Sequence, residues 1–357
     1  MTALDKIQFE NLLTQIVEQG GSDLYLSAGS LPMVKIINDL RPIGEEILTG
    51  LKIEELILPL LTVEQKSFLV ANKALIFGHT FDNGLRFKIN LFYQKDSLAA
   101  DLHWVMANIK NFKQLGLPLA AEGLTQLNKG LVAITGPYQA GKTTTVMSWL
   151  EEINNNQEVK IITLEEPIEY VLVSKKSIVQ QREIGKDTPS FAAGLKDCLE
   201  SNAEVIMVSR LENKEEMILA LELAEQGRLV IVITSADSVV TTLMKFLSFF
   251  KEEEKQHYQE ILARTLGAVV CQRLVKARNN NFVLAVELLW QNETVRLCIE
   301  DNKLNQINNV LRTSAGQGMI SLEQSLINLV KEGQVSLEEA VKLVEDKDGF
   351  LRRAGEN

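Results

Sequence analysis

The sequence predicts an α/β protein: a small α+β unit followed by a larger one in which strands and helices alternate. Three observations carry this. Residues 1–107 mix short alternating runs with helical ones, from Gly130 onward β-rich runs alternate with helical segments, and a glycine-rich turn at 136–143 joins an apolar strand to a helix.

Residues 5–19 space Ile7, Leu12, Leu13, Ile16 and Val17 along one helical face, and Gly20-Gly21 stops that helix. Asp23–Ser27, Met33–Ile37 and Leu85–Phe92 alternate as strands do, with helical runs at Ile53–Leu61 and Val63–Leu69 between them. The expected organisation is a domain over 1–107, a linker over 108–118 and a second domain over 119–357. In that second domain, strands are expected at Leu131–Thr135, Val159–Leu164, Val205–Val208 and Leu229–Thr234. Helices are expected at Thr143–Asn154, Ser190–Leu199 and Glu215–Glu225. Such alternation argues for a largely parallel sheet covered on both faces. The chain ends in helices, with capping boxes at Ser321…Gln324 and Ser336…Glu339.

Composition narrows the function classes. With 37 Lys+Arg against 47 Asp+Glu the net charge is −10, which opposes nucleic acid as the main partner. No apolar run approaches the ~18 residues of a membrane span. The charged, amphipathic start does not read as a signal peptide. Cys198, Cys271 and Cys298 form no CxxC pair and suit a reducing compartment, and His79, His103 and His257 are too scattered for a zinc-type cluster.

Gly136-Pro137-Tyr138-Gln139-Ala140-Gly141-Lys142-Thr143, followed by Thr144, matches G-x-x-x-x-G-K-[ST] in full, with the strand before and helix after that the motif requires. The two glycines let the backbone curl so that amide N–H groups point at phosphate oxygens. The following helix adds its positive end. Lys142 is placed for the β- and γ-phosphates and the Thr143 hydroxyl for Mg²⁺, so the expected ligand is a nucleoside triphosphate, ATP foremost.

The flanking residues resemble the hexameric secretion-type ATPases, specifically the pilus-retraction branch (PilT/PilU type), over nearly the whole chain. Gly20–Gly29 (GGSDLYLSAG) looks like that family's GGSDL(H/F)(L/I)xAG opening. Arg86-Phe87-Lys88-Ile89 and Phe92-Tyr93-Gln94 resemble its RFRV…FYQ strand. Thr163–Tyr170 (TLEEPIEY) is similar to its Asp box, TIEDPIEY, and Gln181–Thr188 (QREIGKDT) to its QREVGxDT segment. Gln317-Gly318-Met319 repeats its QGM, and FYQ and the tail bring the accessory, PilU-like branch nearer. The resemblance implies an N-terminal PAS-like α+β domain, a RecA-like P-loop core with C-terminal helices, and a homohexamer or a mixed ring with a competent retraction ATPase. It also implies a cytoplasmic place at the inner-membrane base of a type IV pilus, beside the pilus platform protein.

The departures from the family pattern bear on catalysis. Its Walker B signature, IILVGE, becomes Val205-Ile206-Met207-Val208-Ser209-Arg210, which puts a guanidinium where a carboxylate would organise Mg²⁺. Glu204 lies roughly 20 Å away along the strand, while Glu212 shares Arg210's face in an extended chain and is a candidate substitute. The family's two His-box histidines become Arg228 and Ser235. Arg228 remains a candidate phosphate contact but cannot relay protons near neutral pH. Two N-terminal arginine positions become Asp96 and His103, with Arg86 and Lys88 retained as candidate phosphate contacts; arginine fingers are worth ~10³–10⁵ in rate for comparable enzymes. Glu200 also stands where a basic residue is common. Glu165, the first acid of the Asp box, matches the position usually assigned to polarising the catalytic water, a role worth ~10²–10⁴-fold. The family's AIRNLIRE-like element is poorly matched by Val295–Asp301.

Three readings follow. A hydrolysis-poor nucleotide-binding subunit that regulates or scaffolds a competent paralogue fits an intact phosphate cradle beside several altered catalytic positions. A working retraction motor fits the P-loop and Glu165. An unrelated P-loop kinase or transferase explains neither the N-terminal match nor QGM.

Overall fold

The computed structural model describes residues 3–36, 39–105, 109–279, 281–344 and 346–355, with the side chains of residues 3–7 and 113 outside that description. The Ile7 side chain, Ile37 and residues 106–108, where the first domain was expected to give way to the linker, therefore lie outside the described residues. The chain divides into two units: Met1–Asn108 with Glu166–Val171, and Ile109–Glu165 with Leu172–Asn357.

In the first unit, α1 (Ala3–Glu18) buries Phe9, Leu13 and Ile16 and ends at Gly20, whose φ of 75° an L side chain rarely adopts. β1 (Gly21–Leu26), β2 (Met33–Ile36) and β3 (Asp39–Pro42) follow. α2 (Gly50–Ile57) starts where the Thr49 hydroxyl accepts from the Lys52 N–H, and it stops before a 3₁₀ turn over Leu58–Leu60. Pro59 explains why the expected helix does not continue to Leu61: it lacks the N–H that would carry the helical hydrogen-bond ladder onward. α3 (Val63–Asn72) begins with a reciprocal Thr62–Gln65 capping box. β4 (Ala74–Thr80), β5 (Arg86–Gln94) and β6 (Ser97–Val105) complete an antiparallel sheet in the order β3-β2-β1-β6-β5-β4. Its buried side chains include Leu24, Phe87, Ile89, Leu98 and Leu102.

The second unit opens with β7 (Gly130–Thr135) and α4 (Lys142–Asn156). It continues through β8 (Lys160–Glu165), β9 (Ile178–Glu183), α5 (Phe191–Glu200), β10 (Val205–Val208), α6 (Lys214–Glu225) and β11 (Leu229–Ile233). Then come α7 (Val239–Ser248), α8 (Glu252–Thr265), β12 (Leu266–Lys276), β13 (Phe282–Trp290), α9 (Glu293–Glu300) and α10 (Ile307–Thr313). The chain closes with α11 (Leu322–Lys331), α12 (Leu337–Val341) and α13 (Lys347–Gly355). The seven-stranded sheet runs β13-β12-β7-β11-β10-β8-β9 and is parallel except for β13.

The central strands β10 and β11 are buried at every residue, which is why they read as continuous apolar runs rather than alternating ones. Ser321 and Ser336 do cap α11 and α12, accepting from the Gln324 and Glu339 N–H groups. These last helices pack on the β12–β13 hairpin through Val275, Ala285, Leu326 and Phe350. The fold is thus the expected one, an α+β N-terminal unit and a P-loop α/β core with C-terminal helices.

Candidate nucleotide site

β7 sits inside the sheet with β12 on one side and β11 on the other, so the turn that leaves it emerges between two packed strands. Gly136 has φ 139°, and a Cβ there would lie 2.2 Å from the Gln272 carbonyl of β12. Only glycine fits. Gln139 (φ 62°) and Gly141 (φ 80°) are both left-handed, which turns the loop back on itself. Gly141 is the N-cap of α4 and no side chain caps that helix start, so its first amides face the loop. Ala140 is buried beneath the loop and Tyr138 is 88% exposed above it. Lys142 Nζ donates to the Gly136 and Pro137 carbonyls at 2.8 and 2.7 Å, curling over the loop whose amide N–H groups would donate to a phosphate alongside it.

Neighbouring elements close in on this loop. The Thr234 N–H at the end of β11 donates to the Ile134 carbonyl of β7 at 3.1 Å. Lys245 of α7 donates from Nζ to Thr234 Oγ1 (2.9 Å) and the Ser235 carbonyl (3.3 Å), which brings a second ammonium to the same end of the sheet. Burial, with the Lys245 charge opposing it too, pushes the Lys142 ammonium below its ordinary pKa. From β12, Gln272 Nε2 donates to Thr145 Oγ1 of α4 at 2.8 Å. Arg273 donates to the Asp237 carbonyl at 3.0 Å, and its buried Nε finds no partner. Cys271, opposite Glu287 in the register, has its thiol pushed up to about 12, chiefly by burial and then by the Glu287 charge. Glu287 is 7% exposed and accepts from the Val239 N–H at 2.8 Å, so a buried carboxylate sits on the N-terminus of α7. Burial raises its pKa, against the Val239 hydrogen bond and the Arg273 charge.

The acids behave differently from the phosphate-binding groups. Glu165 ends β8, three strands from β7 and therefore roughly 14 Å from it at ~4.8 Å per strand. It is 1% exposed, and one carboxylate oxygen accepts from Thr163 Oγ1 (2.6 Å) and Gln181 Nε2 (2.9 Å). Arg210, just past β10, lies over the Phe191 ring at 5.8 Å and pairs with Glu212 at 3.4 Å, both side chains more than half exposed. Glu212 is thus turned to Arg210. Glu204, at the opposite end of β10, accepts from the Lys160 N–H. A nucleotide-bound Mg²⁺ usually takes one or two carboxylates along with phosphate oxygens. Here the Thr143 hydroxyl opens α4, the position past β10 carries a guanidinium paired with Glu212, and one of the two Glu165 oxygens already accepts from Thr163 and Gln181. This donor set does not fit the ion.

Arg228 requires a correction. It precedes β11, whose first residue, Leu229, pairs with Gly130 at the start of β7. Six residues of strand, roughly 20 Å at ~3.3 Å each, separate that edge from Gly136. The Arg228 guanidinium instead donates to the Cys198 carbonyl and, at 3.0 Å, to that of Leu199, closing the C-terminus of α5. A parallel strand puts its two ends on opposite edges, so the two expected His-box positions part: exposed Ser235 stays at the phosphate end and Arg228 leaves it.

In the first unit, Asp96 follows Lys95 in the two-residue turn between β5 and β6, with φ 60° and 47°. Asp tolerates that left-handed turn well, which gives its residue type a local reason. His103 Nδ1 lies 2.8 Å from Asp23 Oδ1. Arg86 donates from Nε to the Ile168 carbonyl at 3.1 Å and Lys88 pairs with Glu169 at 2.6 Å, so both candidate phosphate contacts hold the segment Glu166–Val171.

Residues 106–347 match the family model described as Type II/IV secretion system protein. The chain is 30% identical over 339 residues to the type IV pilus retraction ATPase PilT of Pseudomonas aeruginosa, covering 95% of this chain and 98% of that protein. The chain belongs to the type IV pilus retraction ATPase family, of the PilT/PilU type. The ATPase PilU of the same organism is 30% identical, over 94% of this chain and 88% of its own. A crystal structure of the pilus retraction motor PilT with bound ADP superposes with a TM-score of 0.87 at 32% identity, covering 96% of this chain and 98% of that one. The family's fold and its nucleotide site thus account for the P-loop, and among the described residues no helix is long and apolar enough to cross a membrane.

Lys245, Gln272, Arg273 and Glu287 escape sequence reasoning. None belongs to a motif, and each comes to the phosphate end of the sheet on a strand or helix that only the sheet order brings there. The one local signal is a lysine in the last turn of α7.

Proposed function

We propose that this chain is a nucleotide-binding subunit of the type IV pilus retraction machinery, taking ATP in the loop Gly136–Thr144 and turning it over slowly or not at all. The observation that carries the reading is the contrast within one site. The cradle has its left-handed glycines, its uncapped helix start and Lys142 folded onto the loop, while past β10 a guanidinium is paired to Glu212 where the family has a carboxylate. Thr143 supplies a single hydroxyl toward Mg²⁺, so the proposal assigns nucleotide and not the metal. Glu165 remains the candidate base, provided its carboxylate leaves Thr163 and Gln181. Bound nucleotide at ~100 times its dissociation constant stabilises the folded state by roughly 2.7 kcal/mol without chemistry, enough to bias a ring.

The partners that follow are further copies of this chain in a hexamer, or a competent retraction ATPase in a mixed ring, at the cytoplasmic base of the pilus beside its membrane platform protein. The domain limits that go with it are 1–107 for the PAS-like part and 119–357 for the ATPase part. Binding and steady-state hydrolysis of MgATP, measured beside Lys142→Ala and Arg210→Glu, test the reading. Tight binding, turnover no faster than Lys142→Ala and a gain in Arg210→Glu are expected. Wild-type turnover near ~1 s⁻¹, the low end of ordinary enzymes, abolished by Lys142→Ala, would identify a motor instead.

A further inference from the structure

Two lysines come to the phosphate end of the sheet, and among the described residues neither is paired with a carboxylate. Lys142 Nζ rests on the Gly136 and Pro137 carbonyls. Lys245 Nζ rests on Thr234 Oγ1 and the Ser235 carbonyl. Thr234 is itself hydrogen-bonded to Ile134, two residues before the loop begins. Each ammonium therefore sits on neutral oxygens, and the two are close enough that the Lys245 charge disfavours protonation of Lys142. The buried acid nearby, Glu287, is directed at the Val239 N–H and the Arg273 charge. Together with the amides at the start of α4, the two ammonium groups gather positive charge at this end of the sheet.

Metal accompanying a nucleotide lowers the phosphate charge that the protein must balance. Where carboxylates are available, they hold that metal. Here the end of β10 offers Arg210 paired with Glu212, and one Glu165 oxygen already accepts from Thr163 and Gln181. Both departures point the same way: less negative charge to attract a cation, and more positive charge to meet the phosphates directly.

We infer that this chain takes its nucleotide as the metal-free polyphosphate anion, with Lys245 as a second phosphate-binding cation beside Lys142. On binding, the Lys142 and Lys245 ammonium groups exchange their carbonyl and hydroxyl partners for phosphate oxygens. The inference rests on the nucleotide-binding reading above and concerns the ionic form of the ligand that the same loop selects.

Isothermal titration with ATP in excess EDTA and with excess MgCl₂ tests it on the full chain, without any reliance on turnover. The dissociation constants are expected to agree within about threefold, and chelation is not expected to abolish binding. Lys245→Gln is expected to weaken metal-free ATP about tenfold or more, the worth of one charged hydrogen bond, with Lys245→Arg restoring most of it. Circular dichroism and melting of the variants separate a folding defect from a binding one, and the comparison on the unaltered chain needs no variant. Binding at least about thirtyfold tighter with magnesium overturns the inference alone, as does a folded Lys245→Gln with unchanged affinity. No binding under either condition overturns the nucleotide-binding reading itself, and the inference with it.

Discussion

Replacing Glu287 probes the joint between α7 and the sheet. In Glu287→Ala the Val239 N–H loses its 2.8 Å acceptor in a buried setting. An orphaned buried donor costs ~1–3 kcal/mol, and the lost carboxylate at a helix N-terminus adds ~0.3–1 kcal/mol. Removing a buried charge offsets part of this, so a net loss of about 2–3 kcal/mol is expected. For a unit of this size that lowers the melting temperature by about 4–10 °C. Glu287→Gln keeps an acceptor oxygen while discarding the charge, and is expected within about 1 kcal/mol of the unaltered chain at neutral pH.

The pH dependence separates the two effects. Burial raises the Glu287 pKa above its ordinary 4.5, so between that value and the folded pKa the native state holds a proton that the unfolded chain has released. Stability therefore falls as pH rises through that window, because the proton bound only in the native state becomes harder to supply. Glu287→Gln lacks this term and gains on the unaltered chain as pH rises from 4.5, levelling above the folded pKa. Melting curves across pH 4–8, followed by calorimetry, measure both. A Glu287→Ala variant that melts with the unaltered chain, or a Gln variant as damaged as Ala, would refute the reasoning.

Other substitutions test separate parts of the site. Gly136→Ala drives a Cβ to 2.2 Å from the Gln272 carbonyl, so β12 must shift; loss of nucleotide binding with a stability loss of ~1–3 kcal/mol is expected, read by titration and melting. Gln139→Gly relieves a left-handed residue (φ 62°) at some cost in unfolded-chain entropy, and a net change of about +0.5 to +1 kcal/mol in stability is expected by denaturant unfolding. Arg228→Met removes the donors to the Cys198 and Leu199 carbonyls at the end of α5, and is expected to lower stability by ~1–2 kcal/mol while nucleotide affinity stays within twofold. A large affinity loss in that variant would return Arg228 to the phosphate site.

Much of the site was legible because phosphate binding is local chemistry. A glycine where no Cβ fits, a lysine one residue after the helix N-cap and an apolar strand before them are consecutive in the chain, so Gly136–Thr144 could be read directly. The same held for β10, whose four apolar residues match Val205–Val208 as expected, and for the serine caps of α11 and α12, where the hydroxyl and its N–H partner are three residues apart.

Elements that depend on distant partners were not legible in that way. β12 and β13 went unassigned because nothing local marks their pairing: it is the parallel contact with β7 and the antiparallel return of β13 that make strands of them. The sequence by itself determined the chemistry of the loop, the family and the replacement of a carboxylate by Arg210. Only the tertiary structure decided that Arg228 and Ser235, seven residues apart, lie at opposite ends of a parallel strand. It alone brought Lys245, Arg273 and Glu287 to the end of the sheet from which a loop more than a hundred residues earlier emerges, because sheet order is set by burying whole strand faces at once, and no short stretch of chain encodes that.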